Sequence, residues 1–298
     1  MRKATENHIR FLLMNNYTKE QICEILRIPV ETVDEYLKEK EAKKNGFFTP
    51  KEPNIIKIAD FNVEEICFIS DVHYGSLYDR PDIMETIYEE CEKRGVKYIF
   101  CAGDLTNGNY PIEEDFKNLN RIKGAQNTIE YVANIHPYSR NIKMYTIAGN
   151  HDITFPRNQG IDVCKEISKL REDIVYLGHE SAQVYLGNLN IVLNHGYYNT
   201  TANLESRTRR YYKRTKTEPK PDILALGHIH VPFYHHINDT HILQIASTMD
   251  LLPHHQVKGE AERSCWFVKV YYDTCGNVFD IIPEKLIIED DLVLKRKR

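Results

Sequence analysis

The chain has 298 residues, which is long enough for one large domain with an ample core and a smaller second domain. With 42% hydrophobic and 28% charged residues it has the composition of an ordinary globular protein, which excludes a disordered or fibrous chain. The net charge of -4 excludes a uniformly basic coat for nucleic acid, so any site for a polyanion must be a local patch.

The cysteines and the lengths of the apolar segments indicate the cellular compartment of the protein. Seven cysteines are scattered without a C-x-x-C pair, and several lie in apolar runs, which favours buried, reduced thiols over a disulfide framework or a zinc finger. The N-terminus lacks the apolar run of a signal peptide, and no stretch approaches the roughly 20 apolar residues of a membrane span. We therefore expect a cytoplasmic protein that does not enter a membrane.

The first 45 residues contain three short helical patterns. Residues 4–16 form the first, Thr18 and Gln21 have the spacing of a capping box that opens the second, and the third runs from Glu31 to about Lys44. Three short helices with a tight turn before the last resemble a helix-turn-helix unit, which implies DNA binding. The acidic residues of the third helix favour the alternative, a helical packing or dimerisation module, and both interpretations stay open.

The domain organisation follows from composition. Residues 1–45 are predicted as the small all-α domain, and the glycine and prolines that follow predict a linker over 46–60. The main domain is predicted over 61–290, with a basic tail over 291–298.

The main domain alternates between strand and helix patterns. Five apolar runs predict strands, at Ile66–Ser70, Tyr98–Ala102, Met144–Ala148, Asn190–Asn194 and Ile223–Leu226. Helices are predicted at Asp82–Arg94, Gln126–Ile135 and Ile161–Leu170, and further strands at His241–Ala246, Trp266–Tyr272 and Val278–Ile282. This order indicates an α/β domain with a mixed sheet and helices outside it.

Polar side chains follow all five of the first strands. A single histidine at a strand end is more often a satisfied polar residue than a ligand, but five such ends beside glycines are hard to explain by packing. Carboxylate, imidazole and amide groups together suit manganese, iron or zinc rather than calcium. Seven such groups are too many for one ion and suffice for two that share a carboxylate. They are Asp71, His73, Asp104, Asn150, His195, His228 and His230.

The ordered motifs resemble those of the calcineurin-like metallophosphoesterase superfamily. They are D-x-H at 71–73, G-D at 103–104, G-N-H-D at 149–152, H-G at 195–196 and G-H-x-H at 227–230. The resemblance implies a four-layer double β-sandwich flanked by helices, with the site at the carboxyl ends of strands. It also implies two divalent metal ions, with manganese expected first and iron or zinc as alternatives.

The resemblance assigns a role to each matching position. Asp71, His73 and His230 match the ligands of the first metal, and Asn150, His195 and His228 those of the second, with Asp104 bridging both. His151 matches the catalytic histidine, which protonates the leaving alkoxide or stabilises its charge. We hypothesise that Asp152 orients the imidazole of His151.

Two features bear on the substrate. Protein phosphatases of the superfamily carry an arginine in the second motif, whereas this chain has Leu105-Thr106-Asn107-Gly108, which favours diesters. The first motif, Ser70-Asp71-Val72-His73-Tyr74-Gly75-Ser76, resembles that of the nuclease branch. A basic segment rich in tyrosine follows His195, and such a segment suits a nucleic-acid strand, although a solvated helix or loop is the alternative. The candidate substrate-binding residues are Arg207, Arg209, Arg210, Tyr211 and Arg214, with Arg157 as a further one.

The sequence therefore predicts a two-metal phosphodiesterase, most specifically a DNA-directed nuclease with nucleic acid as its partner. One alternative is an enzyme for cyclic nucleotides or another small phosphoester. Another is a DNA-binding scaffold with a silent phosphoesterase domain, which the complete set of ligand-type residues disfavours. Whether the chain forms a homo-oligomer stays open.

Overall fold

A computed structural model describes residues 9, 18–26, 28–34, 54–56, 63–110, 119–196, 203–250 and 262–290. The chain divides into two compact units, Met1–Phe48 and Thr49–Arg298. Among the described helices, none combines the length and the apolar character needed to cross a lipid bilayer.

The helices of the described ranges are α1 (Lys19–Leu26), α2 (Pro81–Arg94), α3 (Ala125–Ile135), α4 (Thr154–Gln159), α5 (Val163–Leu170) and α6 (Leu204–Arg214). The first seven strands are β1 (Asn54–Ile56), β2 (Val63–Ile69), β3 (Tyr98–Cys101), β4 (Lys143–Ala148), β5 (Ile174–His179), β6 (Ser181–Leu186) and β7 (Leu189–Asn194). The remaining five are β8 (Ile223–Leu226), β9 (Phe233–Ile237), β10 (Thr240–Gln244), β11 (Ser264–Tyr272) and β12 (Val278–Ile287).

The N-terminal unit has its own small core. Ile9, Ile22 and Val33 are fully buried against one another. The predicted capping box is confirmed, because the Thr18 amide donates to Gln21 Oε1 at 2.8 Å and the Gln21 amide donates to Thr18 Oγ1 at 3.3 Å. Most of the predicted first helix and most of the third lie outside the described residues, as do most of the predicted linker and the basic tail. The helix-turn-helix interpretation therefore stays a prediction.

Two six-stranded sheets form the second unit. One has the order β1-β6-β7-β8-β10-β9 and the other the order β12-β11-β2-β3-β4-β5. Strands β2, β3, β4 and β5 run parallel, as do β7, β8 and β10, so their carboxyl ends face the same way within each sheet. Parallel strands of this kind collect loop residues at one edge, which is where ligands bind in α/β sheets.

Alternation along the strands builds two cores. In β2, Ile66 and Phe68 point into the space between the sheets, whereas Cys67 and Ile69 point toward the outer helices, because successive strand residues face opposite ways. The helices α2, α3 and α5 cover that outer face, and α6 contacts β9 and β10 of the other sheet. The predicted four-layer α/β double sandwich is confirmed.

Candidate metal centre

The carboxyl ends of five parallel strands meet at one place. Strands β2, β3 and β4 belong to one sheet, and β7 and β8 belong to the other. The loops that follow them bring together all seven predicted ligands and His151. The aspartates and histidines among them form three overlapping sets of potential metal ligands, within each of which the ligand atoms lie within 4.8 Å of one another, and one of these sets is His73, Asp104 and His151.

The first group consists of Asp71, His73 and His230. His230 Nε2 lies 3.1 Å from His73 Nε2 and 3.3 Å from Asp71 Oδ1, and His73 Nε2 lies 3.8 Å from the same oxygen. Ligand atoms arranged tetrahedrally around a zinc-sized ion lie about 3.4 Å apart. Asp71 Oδ1 is buried and has no hydrogen-bond partner among the described residues. An orphaned carboxylate oxygen beside two imidazole nitrogens fits a divalent cation.

The second group consists of Asn150, His195, His228 and Asp104. Asn150 Oδ1 lies 2.9 Å from His195 Nε2 and 2.7 Å from His228 Nδ1, and Asp104 Oδ2 lies 3.0 Å from His195 Nε2. Two oxygens and two nitrogens thus converge on one point. This mixed oxygen and nitrogen set is one that manganese, iron and zinc accept.

The tautomer of His195 suits a metal ligand. Its Nδ1 lies 2.8 Å from the Ala102 carbonyl oxygen, which can only accept a hydrogen bond. A proton therefore sits on Nδ1, and Nε2 is the nitrogen that points into the second group. A ligating histidine is held in this way when its other nitrogen donates to a backbone carbonyl.

Asp104 lies between the two groups. Its Oδ1 accepts a hydrogen bond from the His151 amide at 2.8 Å, which fixes the carboxylate. Its Oδ2 lies 3.0 Å from His195 Nε2 in the second group and 4.0 Å from His73 Nε2 in the first. This is the position that a shared carboxylate ligand requires.

Burial and the mutual charges set the protonation states. Burial would raise the pKa of Asp71, but His230, His73 and His195 together outweigh it and hold that pKa well below its usual range. Burial lowers the pKa of His73 and of His228 to about 4. Burial would also lower the pKa of His195, but the Asp104 and Asp71 carboxylates and the Ala102 carbonyl together outweigh it and raise the pKa to about 9. Ionised carboxylates beside neutral imidazoles are the forms that bind metal, and a cation would replace the proton on His195.

His151 lies at the solvent side of the cluster, with 18% of its side chain exposed. Its Nδ1 donates to the Asn107 carbonyl oxygen at 2.9 Å, so Nε2 is the nitrogen directed at the site, 3.9 Å from Asp104 Oδ2. The imidazole of His151 is therefore oriented for proton transfer at Nε2.

The hypothesis that Asp152 orients the His151 imidazole is wrong. The Asp152 carboxylate accepts hydrogen bonds from the Leu105, Thr106 and Gly149 amides and from the Thr106 hydroxyl, at 2.7–3.1 Å. It joins the loop after β3 to the loop after β4 and has no oxygen left for the ring. Burial raises the pKa of Asp152 to about 6, with a further contribution from Asp104.

The backbone of the site is strained. Five of the ligand-type residues have a left-handed backbone conformation, with φ of 54° at Asp71, 52° at His73, 52° at Asp104, 83° at His228 and 58° at His230. Residues with a Cβ rarely adopt this conformation, and such strain concentrates at functional sites.

The motif glycines allow close approach of the chain. A Cβ on Gly149 would collide with the Asp104 side chain. A Cβ on Gly227 would lie 2.8 Å from the Ala102 oxygen and 2.9 Å from His195 Nδ1. Only glycine therefore fits where the two sheets meet behind the ligands.

The predicted basic segment folds as α6. Arg209, Arg210 and Lys213 are exposed and Arg214 is half-buried. Together with Asn203, Glu205 and Ser206 these residues line a groove on the surface. Arg157 is also exposed, on α4, which begins shortly after His151. Contact between these residues and substrate stays a prediction.

The structure corrects the prediction for Arg207 and Tyr211. Arg207 is 2% exposed and Tyr211 is fully buried, because they lie on the face of α6 that packs against the sheet. The Arg207 guanidinium carbon lies 4.8 Å from the centre of the Tyr211 ring. Side chains without exposed surface have no face left for a nucleic-acid strand.

Two residues near the site were not predicted from the sequence. Asn107 acts through its backbone carbonyl, which orients His151, and a backbone contact leaves no signal in residue type. Gln244, at the end of β10, is fully buried and donates to the Leu226 and Gly227 carbonyls. A lone glutamine at a strand end carries no spacing signal of its own.

Fold and site together define a metal-dependent hydrolase of phosphoesters. A family model, that of the calcineurin-like phosphoesterase superfamily domain, matches residues 65–256, which is more than half of the chain. The chain belongs to this superfamily, and its histidine and aspartate clusters indicate a divalent-metal centre.

The solved structures that this chain matches have low sequence identity to it. An archaeal phosphodiesterase is 14% identical, with a TM-score of 0.44, over 75% of this chain and 99% of that one. Vacuolar protein sorting 29 of Cryptosporidium parvum is 17% identical, with a TM-score of 0.40, over 77% and 100%. Vps29 of Entamoeba histolytica, complexed with zinc, is 14% identical, with a TM-score of 0.39, over 75% and 98%. No curated protein sequence matches the chain significantly.

Proposed function

We propose that the chain is a two-metal phosphodiesterase that hydrolyses nucleic acid, with DNA as its substrate. The observation that carries this proposal is the convergence of two ligand groups on Asp104, whose Oδ2 lies 3.0 Å from one group and 4.0 Å from the other. Manganese is the metal expected first. Two divalent cations bound here would activate a water for attack on phosphorus and stabilise charge on the phosphoryl oxygens.

The protein's own residues would complete the reaction. The ligand-type residues would hold the two cations at the carboxyl ends of five strands, with Asp104 shared between them. His151 presents Nε2 toward the same point, where its protonated form can donate to the leaving alkoxide. The rigid loops support this geometry, because Asp152 joins them through four hydrogen bonds.

A diester is favoured by the loop after β3. Residues 103–110 contain no arginine or lysine. Two polar side chains of the loop are already engaged, since Thr106 Oγ1 donates to Asp152 at 2.7 Å and Asn107 Nδ2 donates to Asn120 at 2.6 Å. A terminal phosphate is a dianion and is bound best by a bidentate guanidinium. A diester carries only one negative charge and needs fewer cationic contacts.

A polymer is favoured by the outer face of α6. This helix of 11 residues is about 16 Å long and presents Arg209, Arg210, Lys213 and Arg214 in one surface groove. Its inner face packs against Gly196, the residue after His195. A basic face tethered beside a ligand is suited to hold backbone phosphates that flank the scissile one.

The Met1–Phe48 unit would direct the enzyme to DNA. Its helix α1 and the small core around Ile22 are compatible with a helix-turn-helix. Deletion of residues 1–50 should weaken hydrolysis of long duplexes and leave hydrolysis of a small chromogenic diester intact. Unchanged hydrolysis of long duplexes would reject the targeting role.

A substrate panel with manganese tests the proposal. The panel contains single- and double-stranded DNA, RNA, cyclic nucleotides, a chromogenic diester and a phosphopeptide, with Asp104→Asn as the control for contaminating activity. We expect DNA hydrolysis that is lost in the control. Turnover of cyclic nucleotides or phosphopeptide alone would reject the nucleic-acid assignment while leaving the phosphoesterase intact.

A further inference from the structure

We infer that Arg207 is a positioning residue of the metal centre, which holds His228 in place from within α6. The inference rests on the proposed function in taking His195 and His228 as ligands of the second metal. It assigns a role to a buried arginine that lies outside the superfamily motifs of this chain.

Arg207 holds the turn that carries His228. Its Nη2 donates to the Gly227 carbonyl oxygen at 3.3 Å, and its Nε donates to Gln244 Oε1 at 3.1 Å. Gly227 immediately precedes His228. The guanidinium therefore contacts the peptide group from which the ligand side chain extends.

Gln244 also holds the turn that carries His228. Its Nε2 donates to the Leu226 carbonyl at 3.0 Å and to the Gly227 carbonyl at 2.8 Å. The Gly227 oxygen thus accepts from both Gln244 and Arg207, which uses both of its lone pairs. The backbone of Gln244 is itself held, because Trp266 Nε1 donates to its carbonyl at 3.0 Å.

The same guanidinium also lies beside Gly196, the residue that follows the other histidine of the second group. A Cβ on Gly196, the residue after His195, would lie 2.9 Å from Arg207 Nη2 and 2.6 Å from the Tyr211 hydroxyl. Arg207 and Tyr211 therefore pack directly on the backbone that follows His195. The buried Arg207 side chain thus lies beside the backbone next to both His195 and His228, the two histidines of the second group.

His228 needs such support because its backbone is strained. Its φ of 83° is unfavourable for a residue with a Cβ, and it persists only where surrounding contacts hold it. On one side the His228 amide donates to Asp71 Oδ2 at 2.9 Å. On the other side the preceding carbonyl is held by Arg207 and Gln244. Outer contacts of this kind typically change metal affinity 10- to 100-fold.

Arg207→Met, measured on the full chain, tests the inference. Methionine keeps much of the side-chain volume and removes every donor. Manganese binding is followed by titration calorimetry, with thermal unfolding to check that each variant is folded. We expect one of two manganese ions to bind 10- to 100-fold more weakly and the other to bind as in the wild type. Gln244→Met should weaken the same ion, and the double variant should add little to either single one.

Arg171→Met is the matched control. Arg171 is also a buried arginine that donates to backbone carbonyls, those of Ala133, His136 and Pro137. Its loss should lower the melting temperature and leave both manganese affinities unchanged. If Arg207→Met does not fold, Arg207→Lys, which keeps the charge and one donor group, should weaken the same single ion by a smaller factor.

The possible results separate the inference from the proposed function. Wild-type binding of both ions in a folded Arg207 variant would overturn the inference, as would equal weakening of both ions. Weakening of the same ion in Arg171→Met would also overturn it, because the effect would then be general destabilisation. A wild type that binds fewer than two ions would instead refute the proposed two-metal function.

Discussion

The His228 amide donates a hydrogen bond to Asp71 Oδ2 at 2.9 Å, and this bond joins the turn after β8 to the turn after β2. The two turns belong to different sheets. Asp71 therefore has two tasks, since Oδ2 holds the partner sheet and Oδ1 faces the imidazoles of His73 and His230. The Asp71 carboxylate therefore connects the turn of the other sheet to the first ligand group.

Asp71→Asn should separate these two tasks. The asparagine oxygen can accept from the His228 amide, so the fold is preserved, while the amide nitrogen that replaces Oδ1 cannot bind a cation. We expect one metal equivalent to be lost and phosphodiester hydrolysis to fall by roughly 100-fold or more. Elemental analysis and circular dichroism measure the two effects. Asp82→Asn, which removes a carboxylate from a surface ion pair with Arg80, is the control and should leave both unchanged.

His151→Ala should reduce turnover while leaving the metal content intact. General acid catalysis contributes about 10²- to 10⁴-fold, so a loss of that size is expected with an alkoxide leaving group. A chromogenic diester should be affected less, because a phenolate leaves without a proton. Loss of a metal equivalent in this variant would contradict the assignment of His151 as a catalytic residue rather than a metal ligand.

Charge reversal on α6 should impair the hydrolysis of polymeric substrates and not that of small diesters. Replacing the exposed Arg209 and Arg210 and the half-buried Arg214 by Glu removes cations from the groove on α6 without changing the ligands. We expect a large rise in KM for DNA, a shallower dependence of binding on salt, and nearly unchanged hydrolysis of a small chromogenic diester.

The control for this charge reversal changes three exposed lysines elsewhere, Lys123, Lys143 and Lys165, to Glu and so alters the net charge equally. DNA hydrolysis should stay close to that of the wild type. An equal loss on DNA and on the small diester after the α6 changes would reject the contact.

His136 should make the stability of the protein sensitive to acid. It is fully buried between the hydroxyls of Tyr74, at 3.0 Å, and Tyr88, at 2.8 Å. Burial, with Arg171 nearby, lowers the pKa of His136 to about 3, below the value of 6.5 expected when unfolded. The unfolded chain therefore binds a proton between these values that the folded chain does not. The stabilisation is complete above about pH 6.5 and is lost as the pH falls toward 3.

Urea unfolding of the metal-free protein at several pH values measures this effect. Between pH 6 and 4 the free energy of unfolding should fall less steeply in His136→Gln than in the wild type, by about 1.4 kcal/mol per pH unit. Other titrating groups contribute to both proteins, so the difference isolates His136. If this free energy depended on pH equally in the two proteins, His136 would be protonated in the folded protein over the same pH range as in the unfolded chain.

The ligand groups could be predicted from the sequence because each follows a continuous apolar run. The strands β2, β3, β4, β7 and β8 are buried parallel strands, and such strands have no alternation to obscure them. The edge strands β5 and β9 were not predicted. In β9 the sequence FYHHI alternates between half-buried and exposed residues, and its two histidines interrupt the apolar pattern that would indicate a strand.

The internal role of α6 could not be predicted for a related reason. Its buried stripe contains Arg207, Thr208 and Tyr211, with helical spacing but without aliphatic residues. A search for apolar periodicity does not find a stripe of this kind, and the surrounding arginines suggest a surface segment. Only the packing of α6 against the sheet separates the arginine that faces inward from those that face solvent.

The left-handed ligand backbones also bear on how such a protein would change if catalysis were no longer required. Each of these conformations costs about 1 kcal/mol or more relative to glycine, and five of them together approach the net stability of a typical domain. Glycine at any of the five positions would relieve strain while abolishing a ligand. A descendant freed from catalysis would therefore gain stability by losing its ligands, and substitutions toward glycine at these positions would be the earliest trace of that loss.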